Sequence, residues 1–487
     1  MYDVAIIGAG VSGAAIARRL SAYRISVALI ERRADVSFGV SKANSGIIHA
    51  GFHHSPSSLK ARLEVAGNRA FDALHAELGF PFRRTGIVVA AFSWEEMKVI
   101  DRLYAQGVEN GAVGIEIVGR ERILSLEPSL CRDVVGGLFA PAGGIIEPYR
   151  FVFALVESAV ANGVRLLTEW DLAAAHRNRE AWRLTSAAGE RLEARWVVNA
   201  AGLHADTVSA MFGAEEYTIL PRKGEEFLLE RGAAGPPQHV IFPVPARTSK
   251  GVLVIPTVEG TVMLGPTAEE GQDKEDTSTT PANLDRVFTL ASRMVPRIST
   301  RDIITAFAGL RPTLPGDDFY IDLSRRVPGF VQVAGIQSPG LTASPAIADL
   351  VKELLKTDGC ILTEKTDWRP AIGRVERTRD HAPAELDRLI AKDPAYAHIV
   401  CRCEGVSEAE VVEAIRKGHT TLDGIKYYTR AGMGRCQGGF CTFRIMQLVA
   451  RETGVPLERI TKHGPGSELV VGRIGGGEHG GEGGGAP

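Results

Sequence analysis

Short apolar runs that lead into glycine or other small residues recur along this chain and predict the buried strands of a parallel sheet. Residues 4–7 and 27–30 form the first two runs, and a helical pattern lies between them up to Leu20. Residues 197–202 and 330–335 repeat the pattern much later. Because strands covered on both faces are apolar throughout, these runs predict one sheet to which the chain returns after long excursions.

The excursions contain further short, strand-like stretches. Residues 86–90 and 261–264 are examples. Because these stretches lie between the returns to the first sheet, they favour an inserted, largely antiparallel layer. The sequence therefore predicts an α/β fold in which a Rossmann-like nucleotide-binding domain carries an inserted, largely antiparallel substrate domain.

The predicted division of the chain follows these patterns, with a polar, proline-containing linker before a small helical C-terminal domain. The nucleotide-binding domain is discontinuous. The predicted segments are residues 1–84, 148–218 and 306–360 for the nucleotide-binding domain, 85–147 and 219–305 for the substrate or cap domain, 361–395 for the linker, 396–465 for the last domain, and 475–487 for a glycine-rich disordered tail.

The first strand leads directly into a glycine-rich turn with the spacing of a dinucleotide-binding fingerprint. Gly8 allows the tight turn, Gly10 allows a pyrophosphate to approach the backbone, and Gly13 allows close packing of the following helix. The helix N-terminus would face the phosphates. Glu31 ends the second strand, where an acidic side chain accepts hydrogen bonds from the adenosine ribose. A chance glycine turn is the alternative for the glycines alone, but the ordered strands, helix and Glu31 favour a nucleotide site.

Four of the six cysteines are grouped near the C-terminus. Cys401 and Cys403 form a C-x-C pair, and Cys436 and Cys441 form a C-x₄-C pair in a glycine-rich stretch. Four thiolates are the ligand set of a [2Fe-2S] cluster, and glycines allow the backbone to approach the sulfide. Structural zinc remains an alternative because four cysteines also bind zinc. Helical patterns at residues 407–417 and 443–452 place the cysteines at helix ends and loops.

Composition excludes some partners. The 487 residues include 56 basic and 58 acidic side chains, for a net charge of −2, which offers no general attraction to nucleic acid. Six cysteines in this length argue against a disulfide-built secreted protein. Since no apolar run is long enough to span a bilayer and no signal peptide precedes the first strand, we expect a cytoplasmic protein, with peripheral association at the inner face of the membrane through a partner as an alternative.

Residues up to about 360 resemble the flavin oxidoreductases of the D-amino-acid oxidase-like family, which includes glycerol-3-phosphate dehydrogenases and L-2-hydroxyglutarate dehydrogenases. The residues from 396 onward resemble the BFD-like [2Fe-2S] domain. Glycerol-3-phosphate dehydrogenases of the anaerobic type are similar in joining both parts, whereas residues 44–49 and 58–63 look closer to L-2-hydroxyglutarate dehydrogenases. The resemblance is carried by the fingerprint and by residues 44–51, 197–202, 309–312 and 335–340.

The resemblance implies FAD as the bound cofactor. A flavin accepts a hydride and passes on single electrons, so it can stand between an organic substrate and an iron–sulfur cluster, which a nicotinamide cannot do. The helix after residue 340 would direct its N-terminal dipole at the flavin ring. Beyond the fingerprint, the resemblance implies five further FAD-binding residues: Asn44, Ser45, Gly202, Gly335 and Gly340.

The resemblance also implies an acid–base group and a cation near the flavin. His49 is the candidate base, with His53 and His54 as rivals, because imidazole titrates near neutral pH. Arg311 is the candidate that binds the substrate anion, because a guanidinium binds a carboxylate or phosphate with two parallel hydrogen bonds. Lys60, Lys223 and His53 are further substrate-site candidates, Lys223 the weakest.

These inferences predict a dehydrogenase of a small hydroxylated anion, with sn-glycerol 3-phosphate as the first choice and an L-2-hydroxy acid second. A subunit of an amine or amino-acid dehydrogenase, or a non-catalytic electron-relay flavoprotein, are the alternatives. Electrons would leave through the cluster to an external acceptor, such as a second flavoprotein subunit, a quinone or a ferredoxin-like carrier.

Overall fold

A computed structural model describes residues 1–233, 235, 237–245 and 251–472 of the chain. It contains two compact units, Met1–Val375 and the residues from Glu376 onward. The tail predicted at residues 475–487 lies outside the described residues. In the described part of the chain, no helix is both long and apolar enough to cross a membrane.

The first unit is built on an eight-stranded sheet. Its central strands run parallel in the order β9-β2-β1-β12-β20, and β2 is buried along its whole length. The strands predicted at residues 4–7, 27–30 and 330–335 are present here. Numbered in chain order, the strands are β1 (Tyr2–Ile7), β2 (Val27–Ile30), β9 (Arg165–Leu167), β10 (Leu172–Arg177), β11 (Trp182–Ser186), β12 (Arg191–Asn199), β19 (Tyr320–Leu323) and β20 (Phe330–Ala334).

Helices cover this sheet and position its loops. The first helix follows β1 directly and packs against the sixth and ninth, and the ninth also packs against the second. Because these contacts bury small residues such as Ala14 and Ala343, the helices approach closely. The helices of the first unit are α1 (Val11–Leu20), α2 (Leu59–Asn68), α3 (Phe71–Leu78), α4 (Trp94–Asn110), α5 (Arg120–Leu126), α6 (Pro148–Ala161), α7 (Ala205–Met211), α8 (Pro281–Met294) and α9 (Gly340–Thr357).

A nine-stranded sheet forms the second layer of the first unit. All of its strand pairs are antiparallel except β14 with β5. Alternate residues of β5 contribute to two apolar clusters, one shared with α8 and the other with α4, so both faces are covered. The strands are β5 (Ile87–Ala91), β6 (Glu116–Gly119), β7 (Gly136–Ala140), β13 (Leu220–Leu229), β14 (Val240–Pro243), β15 (Leu253–Pro256), β16 (Val262–Gly265), β17 (Glu269–Glu270) and β18 (Ile303–Thr313).

One predicted boundary does not follow the strand pairing, and part of the predicted linker contacts the first unit. Strand β18 pairs with β13 over its whole length, so residues 306–313 lie in the cap sheet although the prediction assigned them to the nucleotide-binding domain. The predicted linker also has structure: the indole of Trp368 donates to the Ser21 hydroxyl at 3.3 Å and lies under the guanidinium of Arg18. A short three-stranded sheet joins β3 (Ile47–Ile48), β4 (Phe82–Arg83) and β8 (Gly144–Ile146).

The second unit is small and mainly helical. Its helices are α10 (Pro383–Lys392), which lies within the predicted linker, α11 (Glu408–Arg416), α12 (Leu422–Thr429) and α13 (Thr442–Thr453), and its strands are β21 (Ile399–Cys401) and β22 (Val406–Ser407). Helix α11 begins with a capping box, in which Ser407 and Glu410 satisfy each other's backbone N–H groups. The predicted fold class, an α/β unit with an antiparallel cap sheet and a small helical C-terminal unit, is confirmed.

Candidate functional site

The glycine turn after β1 has room only for glycine at two positions. Gly8 has φ of +102°, and a Cβ there would lie 2.5 Å from the Ala200 carbonyl oxygen. A Cβ at Gly13 would lie 1.9 Å from the Gly8 carbonyl oxygen, so α1 can begin directly beside β1 only without a side chain. At the start of α1, the Val11 N–H donates to the Ser41 hydroxyl at 2.9 Å. This backbone cradle fits the pyrophosphate of a dinucleotide.

Glu31 lies at the end of β2 beside this turn and is buried. Its Oε2 accepts a hydrogen bond from the Ala9 N–H and its Oε1 accepts one from the Arg33 N–H, both at 2.9 Å. Burial raises the pKa of Glu31, and these two backbone donors oppose the shift. Each carboxylate oxygen retains a second lone pair, so Glu31 can still accept from a ribose hydroxyl.

The segment that contains Asn44 and Ser45 bridges the two sheets of the first unit. Asn44 Oδ1 accepts from the Gly46 N–H at 2.8 Å, which fixes the turn into β3. The Ser45 hydroxyl donates to Glu226 of β13 at 2.6 Å. A Cβ at Gly309 of β18 would lie 2.9 Å from the Ala43 carbonyl oxygen. The cap sheet therefore meets this segment at β13 and β18.

His49 is buried where β3 meets the N-terminus of α9. Its Nε2 lies 3.1 Å from the Ser338 hydroxyl, and its backbone N–H donates to the Thr342 hydroxyl at 3.0 Å. Its carbonyl accepts from Asn68 at 2.6 Å. These contacts hold the imidazole beside the segment 335–340, the other segment predicted to contact the flavin.

The rival histidines have different surroundings. The His53 ring lies 6.5 Å from Phe242, whose ring is also 6.2 Å from His49, so both imidazoles border the same aromatic side chain. His54 lies with its Nε2 3.8 Å from the buried carboxylate of Glu64 on α2. His49 contacts the segment that leads into α9 through Ser338.

Arg311 is half-buried on β18, directly opposite Arg222 of β13. Residues paired in this way share a face of an antiparallel sheet. Its Nη1 donates to the Thr267 carbonyl at 3.2 Å, and a Cβ at Gly224 would lie 2.8 Å from its Nη2. The glycine therefore leaves space for the guanidinium. Burial lowers the pKa of Arg311, while the charge of Glu226 opposes the shift.

Lys60 is buried at the start of α2 and belongs to a small ionic network. Its ammonium donates to the carbonyl and the carboxylate of Asp317, whose Oδ1 accepts from Gln337 at 2.6 Å and from Arg222 at 3.3 Å. Burial lowers the pKa of Lys60, and the Asp317 charge opposes this. Lys60 thus connects α2 to the segment 335–340, and its charge is already paired.

The structure does not bring Lys223 together with Arg311. Because side chains alternate along a strand, Lys223 lies on the face of β13 opposite to Arg222 and Gly224. Its ammonium donates to Asp276 at 2.7 Å. The sequence could not show this partner, since Asp276 belongs to a different loop.

The remaining glycines predicted to contact FAD act through backbone conformation and packing. Gly202 and Gly335 have φ of +59° and +70°, in the left-handed region that favours glycine. A Cβ at Gly340, the first residue of α9, would lie 2.5 Å from Ile336. Small residues here allow the chain to turn tightly into α9.

The four cysteines of the second unit lie as two pairs, each with one member from each motif. The Sγ atoms of Cys403 and Cys436 are 3.6 Å apart, and the Cys441 thiol hydrogen-bonds to Cys401, which lowers the pKa of Cys401. Among the described residues, no three His, Cys, Asp or Glu side chains converge as ligands of one ion. Four thiols in two pairs match the ligand set of a [2Fe-2S] cluster, in which each of two irons takes two thiolates.

Backbone groups and a buried ion network support these thiols. The N–H groups of Gly432 and Glu404 hydrogen-bond to the Cys401 sulfur. A Cβ at Gly434 would lie 2.3 Å from the Cys403 Cβ, so the two cysteine loops approach closely only with glycine there. Buried Glu404 accepts from Arg430 at 2.9 Å and from Arg379 at 3.0 Å, which anchors the loop after Cys403.

Sequence reasoning did not identify four residues that contact the predicted site: Glu226, Asp317, Ser338 and Thr342. Ser338 lies inside the segment 335–340, which the sequence already predicted to contact the flavin. Its hydroxyl could therefore have been named as a candidate from the sequence. Asp317 lies in a glycine-containing turn next to Asp318. Glu226 follows Glu225 in a strand that also carries Arg222 and Lys223, so the sequence does not show that its carboxylate is buried.

Two family models match the chain. Residues 3–354 match the FAD dependent oxidoreductase family, and residues 399–451 match the BFD-like [2Fe-2S] binding domain. These matches agree with the glycine cradle of the first unit and the paired thiols of the second. FAD and a [2Fe-2S] cluster are therefore the cofactors of this enzyme.

Individual proteins are similar over much of the chain. A glycerol 3-phosphate dehydrogenase of Caloramator mitchellensis is 40% identical over 97% of this chain and 98% of its own. The mitochondrial L-2-hydroxyglutarate dehydrogenase of Arabidopsis thaliana is 27% identical over 71% and 82% of the two chains. A solved structure of L-α-glycerophosphate oxidase from Mycoplasma pneumoniae with FAD bound is 29% identical, with a TM-score of 0.73, and covers 76% of this chain and 98% of its own. The chain belongs to the FAD dependent oxidoreductase family and carries a BFD-like [2Fe-2S] domain.

Proposed function

We propose that this enzyme oxidises sn-glycerol 3-phosphate to dihydroxyacetone phosphate and passes the electrons through its [2Fe-2S] cluster to an external acceptor. The observation that carries the proposal is the 40% identity to a glycerol 3-phosphate dehydrogenase across nearly the whole of both chains, including both cofactor-binding parts. The half-buried guanidinium of Arg311 supports an anionic substrate.

Arg311 binds the substrate phosphate in this proposal. The Thr267 carbonyl holds one side of the guanidinium, and Gly224 provides space beside it. A planar guanidinium fixed in this way presents parallel N–H groups, which bind a phosphate or a carboxylate in two places. The paired charges of Lys60 and Lys223 leave Arg311 as the main anion-binding group among the predicted candidates.

His49 accepts the proton of the substrate hydroxyl. Its Nε2 and the Ser338 hydroxyl lie 3.1 Å apart, so the hydroxyl orients the ring and can relay the proton. Thr342 and Asn68 fix the His49 backbone on both sides. FAD, when bound, would supply the hydride acceptor for this step, and the cluster would supply a carrier of single electrons.

The residues that would hold FAD are the glycines of the α1 turn, Glu31, the segment Asn44–Ser45 and the glycines at 335 and 340. The four thiols would hold the cluster. Cys403 is exposed and Cys436 is half-buried, whereas Cys401 and Cys441 are buried. The exposed side of the cysteine site is where an external acceptor can approach, since electron transfer requires a short distance.

An L-2-hydroxy acid is the second candidate substrate. The similarity to L-2-hydroxyglutarate dehydrogenase extends over most of that relative, and residues 44–49 and 58–63 favour it. Arg311 would then bind a carboxylate in place of a phosphate. In both candidate substrates a hydroxyl group is oxidised. They differ in the anionic group and in the carbon skeleton that carries it.

The test is flavin bleaching under anaerobic conditions. The holoenzyme is mixed with sn-glycerol 3-phosphate, with L-2-hydroxyglutarate, or with an L-amino acid, and the flavin absorbance is followed by stopped flow. We expect rapid bleaching by sn-glycerol 3-phosphate. Rapid bleaching by L-2-hydroxyglutarate alone would favour an L-2-hydroxy acid as the substrate. If none of the three compounds bleaches the flavin, a non-catalytic electron-relay role is favoured.

A further inference from the structure

Two adjacent glutamates on β13 are both buried but have opposite surroundings. Glu225 faces the N-terminus of α8, where its Oε2 accepts from the Thr280 N–H at 2.7 Å and its Oε1 accepts from Asn283 at 2.8 Å. Both oxygens of Glu225 are therefore satisfied, and its role is to hold α8 against the sheet.

Glu226 lies on the other face of β13 and is only partly satisfied. It is 2% exposed, and its Oε1 accepts from the Ser45 hydroxyl at 2.6 Å. Its Oε2 is buried without a hydrogen-bond partner among the described residues. A buried carboxylate oxygen without a donor disfavours the ionised form, and a positive charge nearby reduces that cost.

That charge is Arg311. Along β13, Arg222, Gly224 and Glu226 occupy alternate positions and share one face, and Arg311 is paired with Arg222 on the same face. The Arg311 guanidinium lies beside Gly224, which is two residues before Glu226 on that face. Glu226 attracts Arg311 electrostatically and Arg222 repels it.

Burial raises the pKa of Glu226 to about 7, while the Ser45 hydrogen bond and the Arg311 charge oppose the shift. A carboxyl group with this pKa changes its charge in the neutral range. A second anion at Arg311 would remove the stabilisation that the ionised form receives, because both anions would then share one cation.

We propose that Glu226 is a positioning residue that gives up Arg311 to the anionic substrate, and that it takes up one proton from water as the anion binds. In the free enzyme, ionised Glu226 balances the charge of Arg311. When the substrate anion binds Arg311, Glu226 becomes the neutral acid and retains Ser45 as its partner. The inference rests on the proposed role of Arg311 in the proposed function.

Other charged or titratable groups lie near Glu226 and Arg311, and the experiment has to distinguish their effects from that of Glu226. Arg222 repels Arg311 from the same strand, and His49 is a second titratable group in the site. Strand β16 contributes Gly265, where a Cβ would lie 2.9 Å from the Glu226 Cγ, and the segment before β3 contributes the uncharged Ser45. Lys223 and Glu225 lie on the opposite face of β13.

Sulfate binding to the FAD-loaded holoenzyme tests the proposal without turnover. Sulfate is a dianion that does not titrate near neutral pH, and its binding is followed through the flavin absorbance between pH 7 and 8.5. For the wild type, the dissociation constant is expected to rise by up to about tenfold per pH unit, because each bound anion requires one proton. In Glu226→Gln this dependence is expected to be lost.

The sign of the effect separates this role from a structural one. Glutamine resembles the protonated acid, so at pH 8 Glu226→Gln is expected to bind sulfate about tenfold more tightly than the wild type. Glu225→Gln, the same change on the opposite face, is the matched control and is expected to retain the wild-type pH dependence. Weaker sulfate binding by Glu226→Gln, or an unchanged pH dependence, would overturn the proposal.

The substrate is tested separately with the same variants. If sn-glycerol 3-phosphate fails to bleach the flavin but sulfate binding behaves as described, the proposed substrate is wrong and the role of Glu226 stands. If sn-glycerol 3-phosphate is oxidised but sulfate binding has the same pH dependence in the wild type and Glu226→Gln, the proposed substrate stands and the proposed role of Glu226 is wrong.

Discussion

The first unit surrounds its nucleotide site with backbone, whereas the second unit surrounds its cluster site with side-chain sulfur. At Gly8 and Gly13 a single added carbon atom would collide with a carbonyl oxygen. At Cys401 and Cys441 the side chains themselves are the proposed ligands, and the nearby glycines allow the loops to approach. FAD binding should therefore be sensitive to added volume, while cluster binding should be sensitive to ligand identity.

The largest effect that separates the two units is expected from Cys436→Ser. Loss of one thiolate should remove the cluster and abolish multiple turnovers with an external acceptor, while bleaching of the flavin by substrate continues. Iron, sulfide and flavin are measured on protein isolated without oxygen. Cys131→Ser, in the first unit, is the control that should retain iron. If Cys436→Ser loses both iron and flavin bleaching, the two units do not function independently. If the wild type contains zinc and no iron, the cysteine site does not carry electrons.

The next effect concerns proton transfer in the first unit. His49→Gln is expected to slow flavin reduction by about 10²- to 10⁴-fold, with a smaller loss at higher pH, because an ionised alcohol or hydroxide then replaces the base. Stopped-flow bleaching across pH measures this, with FAD content as a check. His54→Gln should have a smaller effect. Normal reduction with loss of FAD from His49→Gln would instead make His49 a cofactor contact.

A smaller effect is expected at the anion site. Arg311→Lys keeps the charge but removes the parallel N–H groups, so kcat/KM should fall by about 10²-fold, equivalent to about 3 kcal/mol, with unchanged FAD content. Lys223→Met, on the opposite face of β13, is the comparison variant and should change kcat/KM by less than about threefold, because this side chain is paired with Asp276 away from Arg311. Equal losses in both variants would place the anion site elsewhere.

The smallest expected effect is on the stability of the second unit. Ser407→Ala removes the cap of α11 and should cost about 1 kcal/mol. Thermal unfolding is followed by the visible absorbance of the cluster and, in the same sample, by flavin release. The cluster transition should move to lower temperature while flavin release is unchanged. A parallel shift of both would show that the two units unfold together.

The features that the sequence predicted are local. Strand β2 was predicted at residues 27–30, the bounds that it has in the structure, because four apolar residues and the following Glu31 are adjacent. The cysteine spacing likewise predicted the cluster site, since the two cysteines of each motif are close together in the sequence. These signals need no knowledge of which distant segments pair.

The features that the sequence did not predict depend on distant pairing. The Asp276 partner of Lys223, the Asp317 partner of Lys60 and the contact of Glu226 with Ser45 join segments far apart in the chain. Which face of β13 a side chain occupies follows from its register with β18. A shift by one residue would exchange Lys223 with Gly224, so no local pattern could assign the partners.

The pairing of β13 with β18 also has a consequence for the order of folding. Arg222 and Arg311 become neighbours only when β13 pairs with β18. This pairing closes a long loop of chain that includes β14 to β17 and α8. Closing such a loop is slow compared with forming helices or hairpins. During refolding, helical structure should therefore recover first, and the ability to bind an anion should recover late.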